Sequence, residues 1–237
     1  MDLLNLYFKL KKIMKRMLST RLRQSWYRRR FIYLLILLLS FISFAPALQT
    51  FTKLNFSSDL VFSAILVCTI YVGSRKKYQA AVVYILAFPM LLSVWFPYFV
   101  NSPAIIMLGR FCGILFFSIV VFQILDYIFG EKEISENVIA AAVVVYLLIG
   151  ISWALSYSLL EVVQPGSFNI PPDQIHNTRL LFIYYSFSTL TTMGSNTVQP
   201  ASGLPESFTI VEAIVGQLYL VVLIAWLVGM HVVRKSK

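Results

Sequence analysis

The sequence predicts an all-α polytopic membrane protein, with six transmembrane helices and a short re-entrant helix and loop between the fifth and the sixth. Two observations predict this fold. Of the 237 residues, 59% are hydrophobic and only 13% are charged, and the mean hydropathy is +0.78. Apolar segments also recur along the chain, and most are close to the ~20 residues that cross a bilayer. A water-soluble domain of this length needs a far more polar surface, so that class is excluded.

The first element is a basic N-terminal tail, residues 1–30, which carries ten of the twenty Lys and Arg residues. Its apolar residues recur at helical spacing between the basic ones, which is typical of an amphipathic helix on the inner membrane surface. A disordered basic tail is the alternative. Basic runs can bind nucleic acid, but next to an apolar segment they more often contact anionic lipid headgroups. We therefore expect anionic lipid as a partner of the tail, and no nucleic acid.

Six apolar segments follow the tail and predict the membrane spans. The first four make up a four-helix transmembrane region, residues 31–130, and the last two belong to a second region, residues 137–237. Pro89 and Pro97 are expected to bend or end the third span. The predicted spans are Phe31–Leu48, Leu60–Val72, Tyr78–Val100, Pro103–Phe129, Val138–Leu160 and Phe208–Val232.

The positive charges predict the orientation of these spans. If the N-terminus is inside, seventeen basic residues lie in the two tails and the inner loops, whereas only Lys53 and Arg179 lie in outer loops. The remaining basic residue, Arg110, lies within the fourth span. This distribution satisfies the positive-inside rule with both termini in the cytoplasm.

The connection between the fifth and sixth spans is about fifty residues long, whereas the earlier connections are short. Prolines and a glycine at 164–166 and 171–172 break regular structure there. The apolar run Leu180–Leu190 is too short to cross the bilayer, so it predicts a re-entrant helix. Non-helical backbone at membrane depth is tolerated only where protein or water surrounds it. The polar stretch that follows this run is therefore a candidate pore loop.

The chemistry of this polar stretch fits the coordination of a cation. An ion that crosses a membrane exchanges its water shell for oxygens, which backbone carbonyls and a threonine hydroxyl can supply. Carbonyls face one axis when right- and left-handed backbone alternate, and Gly and Asn favour the left-handed form. Gly194 and Asn196 have this alternation, and Thr192 can offer its hydroxyl at the inner mouth. The candidate ion-binding residues are Thr191, Thr192, Met193, Gly194, Ser195 and Asn196.

The run Tyr185–Gly194 resembles the pore helix and inner filter of the two-helix-pore potassium-channel superfamily, which usually reads T-T-V-G-Y-G-D. Thr191, Thr192 and Gly194 match that pattern, and Pro200 lies where these channels commonly have a proline. Residues 212–220 resemble the inner helix of bacterial six-span members, and the resemblance extends from Leu180 to His231. It implies that residues 137–237 are a pore domain, and it implies a homotetramer in a plasma (inner) membrane that conducts potassium passively. It also implies that Gly216 is a gating hinge.

Three residues depart from the family pattern. Ser195 replaces the family's Tyr, Asn196 replaces its second Gly, and Thr197 replaces its Asp. The family's Tyr packs outward and holds the width of the filter, so its loss is expected to weaken potassium selectivity. A pore that passes sodium as well as potassium is therefore one alternative. A non-conducting membrane scaffold or modulatory subunit is another.

Polar residues in the spans have expected roles in supporting the pore. Glu212, one turn before Gly216, is expected to brace the hydroxyl-rich run of the re-entrant helix. The alternative for Glu212 is a pH response, because burial disfavours a charged carboxylate. Gln217 is expected to face a water-filled cavity. Arg110 is the one basic residue of the fourth span, which lacks the repeated charges of a voltage sensor, and we expect Arg110 to pair with Glu212 or Asp59.

The remaining reactive residues predict neither an enzyme nor a resident metal. Cys68 and Cys112 lie in apolar spans and are expected to be small buried hydrophobes. His176 and His231 lack partners at ligand spacing. The sequence has no phosphate-binding loop, nucleophile elbow or pair of catalytic carboxylates. We therefore expect no cofactor and no metal beyond permeant monovalent cations, namely potassium and, for a non-selective pore, sodium.

Overall fold

A computed structural model of the chain describes residues 29–52, 55–73, 77–99, 102–131, 133–171 and 178–235, which are mostly helical. The predicted N-terminal tail therefore lies outside the described residues up to position 28, as do the loop positions 53, 75, 76, 132 and 176. The helices are α1 (Arg30–Thr52), α2 (Asn55–Gly73), α3 (Lys77–Trp95), α4 (Pro103–Gly130), α5 (Glu136–Val163), α6 (Thr178–Leu190) and α7 (Gly203–Lys235).

Each predicted span corresponds to one of these helices, and α6 contains the predicted re-entrant run. Three helices are long and apolar enough to cross a membrane, namely α4, α5 and the Gly203–Met230 part of α7. Within the described residues, α1, α2 and α3 contain shorter apolar stretches, Arg30–Phe44, Asp59–Ile70 and Ala81–Trp95. The chain is therefore a helical protein with three candidate membrane-spanning helices, as expected of a membrane-embedded protein.

The third predicted span ends earlier than its apolar sequence indicates. It was expected to reach Val100, but α3 stops at Trp95 and a 3-10 turn follows at Phe96–Tyr98. Pro97 disfavours helical backbone at the residue before it and provides no N–H for a helical hydrogen bond, which explains the early end. Pro89 remains inside α3.

Helix α5 is the centre of the fold. It packs against α1, α4, α6 and α7, and most of its apolar residues are buried. At Gly150 a Cβ atom would lie 2.8 Å from the ring of Phe187 on α6, so the glycine allows the close approach of these two helices. Within the segment between α5 and α7, two short strands on either side of α6 pair antiparallel, β1 (Phe168–Asn169) and β2 (Gln199–Pro200).

Helix α7 differs from α5 in how little of it the chain covers. In its most apolar window only 6% of the residues are buried, against 61% for α5. The helix lies at the edge of the fold and presents a broad apolar surface to its surroundings. Its large exposed apolar residues are Leu204, Ile210, Val211, Ile214, Leu218, Val221, Val222, Ile224 and Val228.

An ion pair connects the N-terminal helices to the start of α6. Arg179, in the first turn of α6, pairs with Asp59 near the start of α2. Its guanidinium also lies over the ring of Phe62, 5.4 Å from the ring centroid. Desolvation lowers the pKa of Arg179 to about 10, which still leaves the group charged at neutral pH. This pair fixes where α6 begins relative to α2.

The Asp59–Arg179 pair is expected to contribute measurably to stability. Replacing Asp59→Asn leaves the arginine without its carboxylate and should cost about 1–3 kcal/mol, less than a fully buried pair, because the arginine is partly exposed. Unfolding of Asp59→Asn, Arg179→Gln and the double variant, measured in detergent, gives the coupling energy of a double-mutant cycle. A coupling energy of zero would mean that the two side chains do not hold α2 and α6 together.

Candidate functional site

The hydroxyl-rich face of α6 is buried against α5 and α7. Ser186 is fully buried, and its Oγ lies 2.7 Å from the carbonyl oxygen of Gly150 on α5. The same Oγ lies 2.5 Å from Oε1 of Glu212 on α7. Tyr157 on α5 donates its hydroxyl to Oε2 of Glu212 at 2.5 Å. Glu212, which is itself fully buried, thus contacts both neighbouring helices and hydrogen-bonds the hydroxyl-rich run.

A second pair of hydroxyls connects α6 to α7 about one helical turn before Glu212. Tyr185 Oη and Thr209 Oγ1 lie 2.7 Å apart, and Thr209 donates to the carbonyl of Pro205 at 2.9 Å. The rings of Tyr185 and Tyr157 make an edge-to-face contact with centroids 5.0 Å apart. Aromatic contacts of this geometry add to the hydrophobic burial of the rings. The start of α7 is therefore fixed to α6 by both polar and aromatic contacts.

The end of α6 is held by two further residues. The carbonyl of Leu190, its last residue, accepts a hydrogen bond from the hydroxyl of Tyr146 on α5 at 3.1 Å. Tyr146 stacks on Tyr219 of α7, with ring centroids 5.9 Å apart. On the other side Gly216 contacts Leu190 so closely that a Cβ atom would lie 2.7 Å from the Leu190 carbonyl oxygen. Gly216 is thus a packing position against the last turn of α6, and its role as a gating hinge stays a prediction.

The loop after α6 contains an alternation of backbone handedness, but it begins two residues earlier than the sequence predicts. Thr192 has φ 59° and Gly194 has φ 78°. The prediction of left-handed backbone at Asn196 is wrong, because the described non-glycine residues with positive φ include only Thr192. Ser195 explains the difference, since its Oγ accepts hydrogen bonds from the backbone N–H groups of Thr197 and Val198 at 3.3 and 3.2 Å. That serine turn sets the backbone around Asn196.

Hydrogen bonds back to α6 hold the inner half of the loop. The N–H of Thr192 donates to the carbonyl of Thr189 at 2.9 Å, and the N–H of Gly194 donates to the carbonyl of Ser188 at 3.0 Å. The hydroxyl of Thr191 donates to the carbonyl of Phe187 at 2.7 Å. The carbonyls at the C-terminal end of a helix lack partners within the helix, and here the loop provides them. The loop conformation is therefore set by the end of α6.

The left-handed backbone of Thr192 is strained. A β-branched residue rarely adopts positive φ, and the left-handed conformation costs an L-residue roughly 1–2 kcal/mol. Strain of this kind persists where surrounding contacts over-determine the backbone, and it concentrates at functional sites. Here those contacts are the hydrogen bonds of Thr192 and Gly194 to α6.

The loop is not covered by its own chain. The residues from Thr191 to Gly194 and Asn196 are exposed, and the exposed fraction of Met193 is 66%. Gln217 on α7 is exposed as well. The predicted filter residues are therefore largely exposed, although backbone N–H groups of the loop donate to α6, whereas most of α6 itself is buried.

Arg110 does not make the carboxylate pair that the sequence predicts. Its guanidinium donates to the backbone carbonyl of Ser158 on α5 at 2.8 Å. Asp59 pairs with Arg179 instead, and the two oxygens of Glu212 face Tyr157 and Ser186. Within the described ranges no carboxylate lies at salt-bridge distance from Arg110, because the carboxylates that were expected have nearer partners.

Several residues of the site were not singled out in the sequence. Tyr146 and Tyr157 on α5 hold the end of α6 and Glu212, and Glu161 accepts the N–H groups of Gly166 and Phe168 at 2.9 and 3.0 Å. The spacing of Tyr146, Gly150 and Tyr157 places the two tyrosines and the glycine on one helical face. That face is the signal in the sequence that marks where α5 meets α6.

The reactive residues form no metal site among the described residues, where no group of three or more His, Cys, Asp or Glu side chains comes together. Cys112 is buried, as expected, whereas Cys68 is exposed on α2. The expectation for Cys68 was therefore wrong, because the apolar sequence of α2 does not show which of its sides the other helices cover.

Comparison of the chain with protein-family models, with curated proteins and with solved structures finds no match.

The close contact at Gly216 gives a test of the packing between α6 and α7. Gly216→Ala places a Cβ atom against the backbone of Leu190 and should lower the melting temperature of the protein in detergent. Gly229→Ala is the matched control, because Gly229 lies in the same helix with nothing within 4 Å of its Cβ position. This control should keep or raise stability, since alanine favours a helix over glycine by about 1 kcal/mol. Equal melting temperatures for the two variants would mean that the close contact at Gly216 does not stabilise the packing of α6.

Proposed function

We propose that the chain is one quarter of a homotetrameric channel that conducts monovalent cations, chiefly potassium, passively across a membrane. The observation that carries this proposal is the loop after α6. It combines alternating left-handed backbone at Thr192 and Gly194 with an exposed surface, and it follows a short helix whose opposite side is buried. An extended loop with this alternation can turn backbone carbonyls toward an ion. The resemblance of residues 185–194 to a potassium-channel filter points to the same function.

In this proposal all six helices α1 to α5 and α7 span the membrane, and α6 enters it from the outside as a re-entrant helix. Each predicted apolar span corresponds to one helix. The excess of basic residues in the inner loops supports cytoplasmic termini. The basic residues 1–30 then lie against anionic lipid at the inner face of a plasma membrane. Non-helical backbone at residues 191–196 requires protein or water around it, which a central pore provides.

Four copies are proposed because one chain provides one loop. Cyclic assembly around a single axis would bring four loops together, and closed symmetry of this kind is the rule for homo-oligomers. The exposed apolar surface of α7 supports this arrangement, because a helix with so few buried residues has a face available for neighbouring copies as well as for lipid. Gly216 lies on the opposite side of α7, toward α6.

The conformation of residues 195 and 196, in the outer half of the loop, is a reason to propose weakened selectivity for potassium over sodium. Ser195 uses its hydroxyl to accept two backbone N–H groups, so it does not replace the outward-packing tyrosine of the family pattern. The left-handed alternation also does not continue to Asn196. A non-selective sodium and potassium pore is therefore the nearest rival. The same observations favour, as a second rival, a non-conducting scaffold or modulatory subunit.

Cation flux into liposomes that contain the purified protein tests the proposal. Potassium flux that exceeds sodium flux by a modest factor is expected for the natural chain. The variant Ser195→Tyr with Asn196→Gly restores the family pattern at both positions and should increase the potassium preference by tenfold or more, which corresponds to about 1.4 kcal/mol. Ser207→Ala, an exposed serine outside the loop, is the control and should leave the ratio unchanged.

The rivals give different results in the same experiment. Equal flux of the two ions in the natural chain would favour the non-selective pore. An intact tetramer that passes neither ion would favour the scaffold, and a monomer that passes neither would contradict the channel altogether.

A further inference from the structure

Three short oxygen–oxygen contacts around Glu212 raise the question of where the protons lie. Oε2 of Glu212 is 2.5 Å from Tyr157 Oη, and Oε1 is 2.5 Å from Ser186 Oγ. Ser186 Oγ is in turn 2.7 Å from the carbonyl oxygen of Gly150. Each of these contacts is at hydrogen-bond length, and each therefore requires one proton between its two oxygens.

The groups in this cluster can be counted as donors. The hydroxyl of Tyr157 provides one proton and the hydroxyl of Ser186 provides one, whereas the carbonyl of Gly150 provides none. Three contacts need three protons, so the third must belong to the carboxyl group. We infer that Glu212 is a neutral carboxylic acid that donates its proton from Oε1 to Ser186, while Ser186 donates to the carbonyl of Gly150. Every contact then holds one proton.

An ionised Glu212 would leave this cluster unbalanced. If Ser186 donated to the carboxylate, its oxygen would face the Gly150 carbonyl at 2.7 Å with no proton between them. If Ser186 donated to Gly150, the same mismatch would occur at Oε1. Both arrangements place two acceptors in contact in a buried site, and a buried acceptor without a donor is disfavoured.

The groups that surround the cluster do not neutralise a charge on Glu212. Tyr185 on α6 donates to Thr209, because the proton of Thr209 is directed to the carbonyl of Pro205. Tyr146 on α5 donates to the carbonyl of Leu190, and Arg110 on α4 donates to the carbonyl of Ser158. No cationic side chain among the described residues makes a salt bridge with Glu212. A buried charge without a partner is strongly disfavoured, which agrees with the proton count.

The proton gives Glu212 its role as a positioning residue. A chain of donors runs from Glu212 on α7 to Ser186 on α6 and on to Gly150 on α5, and it fixes the rotation of α6 between the two longer helices. The loop after α6 takes its conformation from the end of that helix. The importance of this positioning for an ion pathway rests on the proposed function, whereas the protonation of Glu212 does not.

Glu161 provides a contrast within the same chain. Its two oxygens accept backbone N–H groups from Gly166 and Phe168. Both contacts receive their protons from the amides, so the hydrogen bonds of Glu161 require no proton on its carboxyl group. Glu161 is therefore a matched control for Glu212.

Infrared difference spectra of the full chain in lipid vesicles at neutral pH test the inference. The spectrum of the natural protein minus that of Glu212→Gln should show the carbonyl stretching band of one neutral carboxylic acid, and Glu212→Gln should lose it. Ser186→Ala removes the acceptor of the acid proton and should shift this band to higher frequency without loss. Glu161→Gln should leave the band unchanged.

The inference is overturned if Glu212→Gln loses no such band, or if Ser186→Ala leaves its position unchanged. Glutamine keeps one acceptor and one donor at this site, so Glu212→Gln is expected to fold; if it does not, the shift in Ser186→Ala decides alone. None of these spectra requires conduction. Vesicles that pass no cation but show the band would contradict the proposed channel and retain the neutral Glu212.

Discussion

The contacts that Glu212 makes with Tyr157 and Ser186 organise the C-terminal half of the protein. A short helix rich in hydroxyls is an unfavourable element inside an apolar fold, because each polar group removed from water needs a partner. Helix α6 finds those partners on both sides, on α5 through Gly150 and Tyr146 and on α7 through Glu212 and Thr209. The polar residues of the neighbouring helices are therefore matched to the polar face of α6.

The loop after α6 depends on this support. Thr192 has a backbone conformation that a threonine avoids in isolation, and the hydrogen bonds of the loop to the carbonyls of α6 maintain it. A shift or rotation of α6 would move those carbonyls and release the strain. Gly216 belongs to the same support, since its missing side chain lets α7 contact the last turn of α6. The packing of α5, α6 and α7 thus determines the conformation of the loop through its hydrogen bonds to the end of α6.

Much of the helical architecture could be predicted from the sequence, because apolar segments of fixed length leave few alternatives. The position of α6 followed from its shortness and from the prolines before it. The outcome at Asn196 could not be predicted, since the competing interaction is a serine turn of Ser195 with two backbone amides. The partner of Arg110 was also missed, because a backbone carbonyl has no signature in the sequence. Tyr146 and Tyr157 were overlooked since tyrosines in apolar helices are common, and only their shared face with Gly150 distinguishes them.

The proposed channel requires that the exposed loop line the path of the ion, and modification of a cysteine at position 193 tests this most directly. The two free cysteines, Cys68 and Cys112, would first be replaced by serine. Met193→Cys should then lose cation flux when a positively charged thiol reagent is added outside the vesicles. Phe122→Cys, which is 72% exposed on α4, should keep its flux under the same treatment. Undiminished flux through fully modified Met193→Cys would contradict the account.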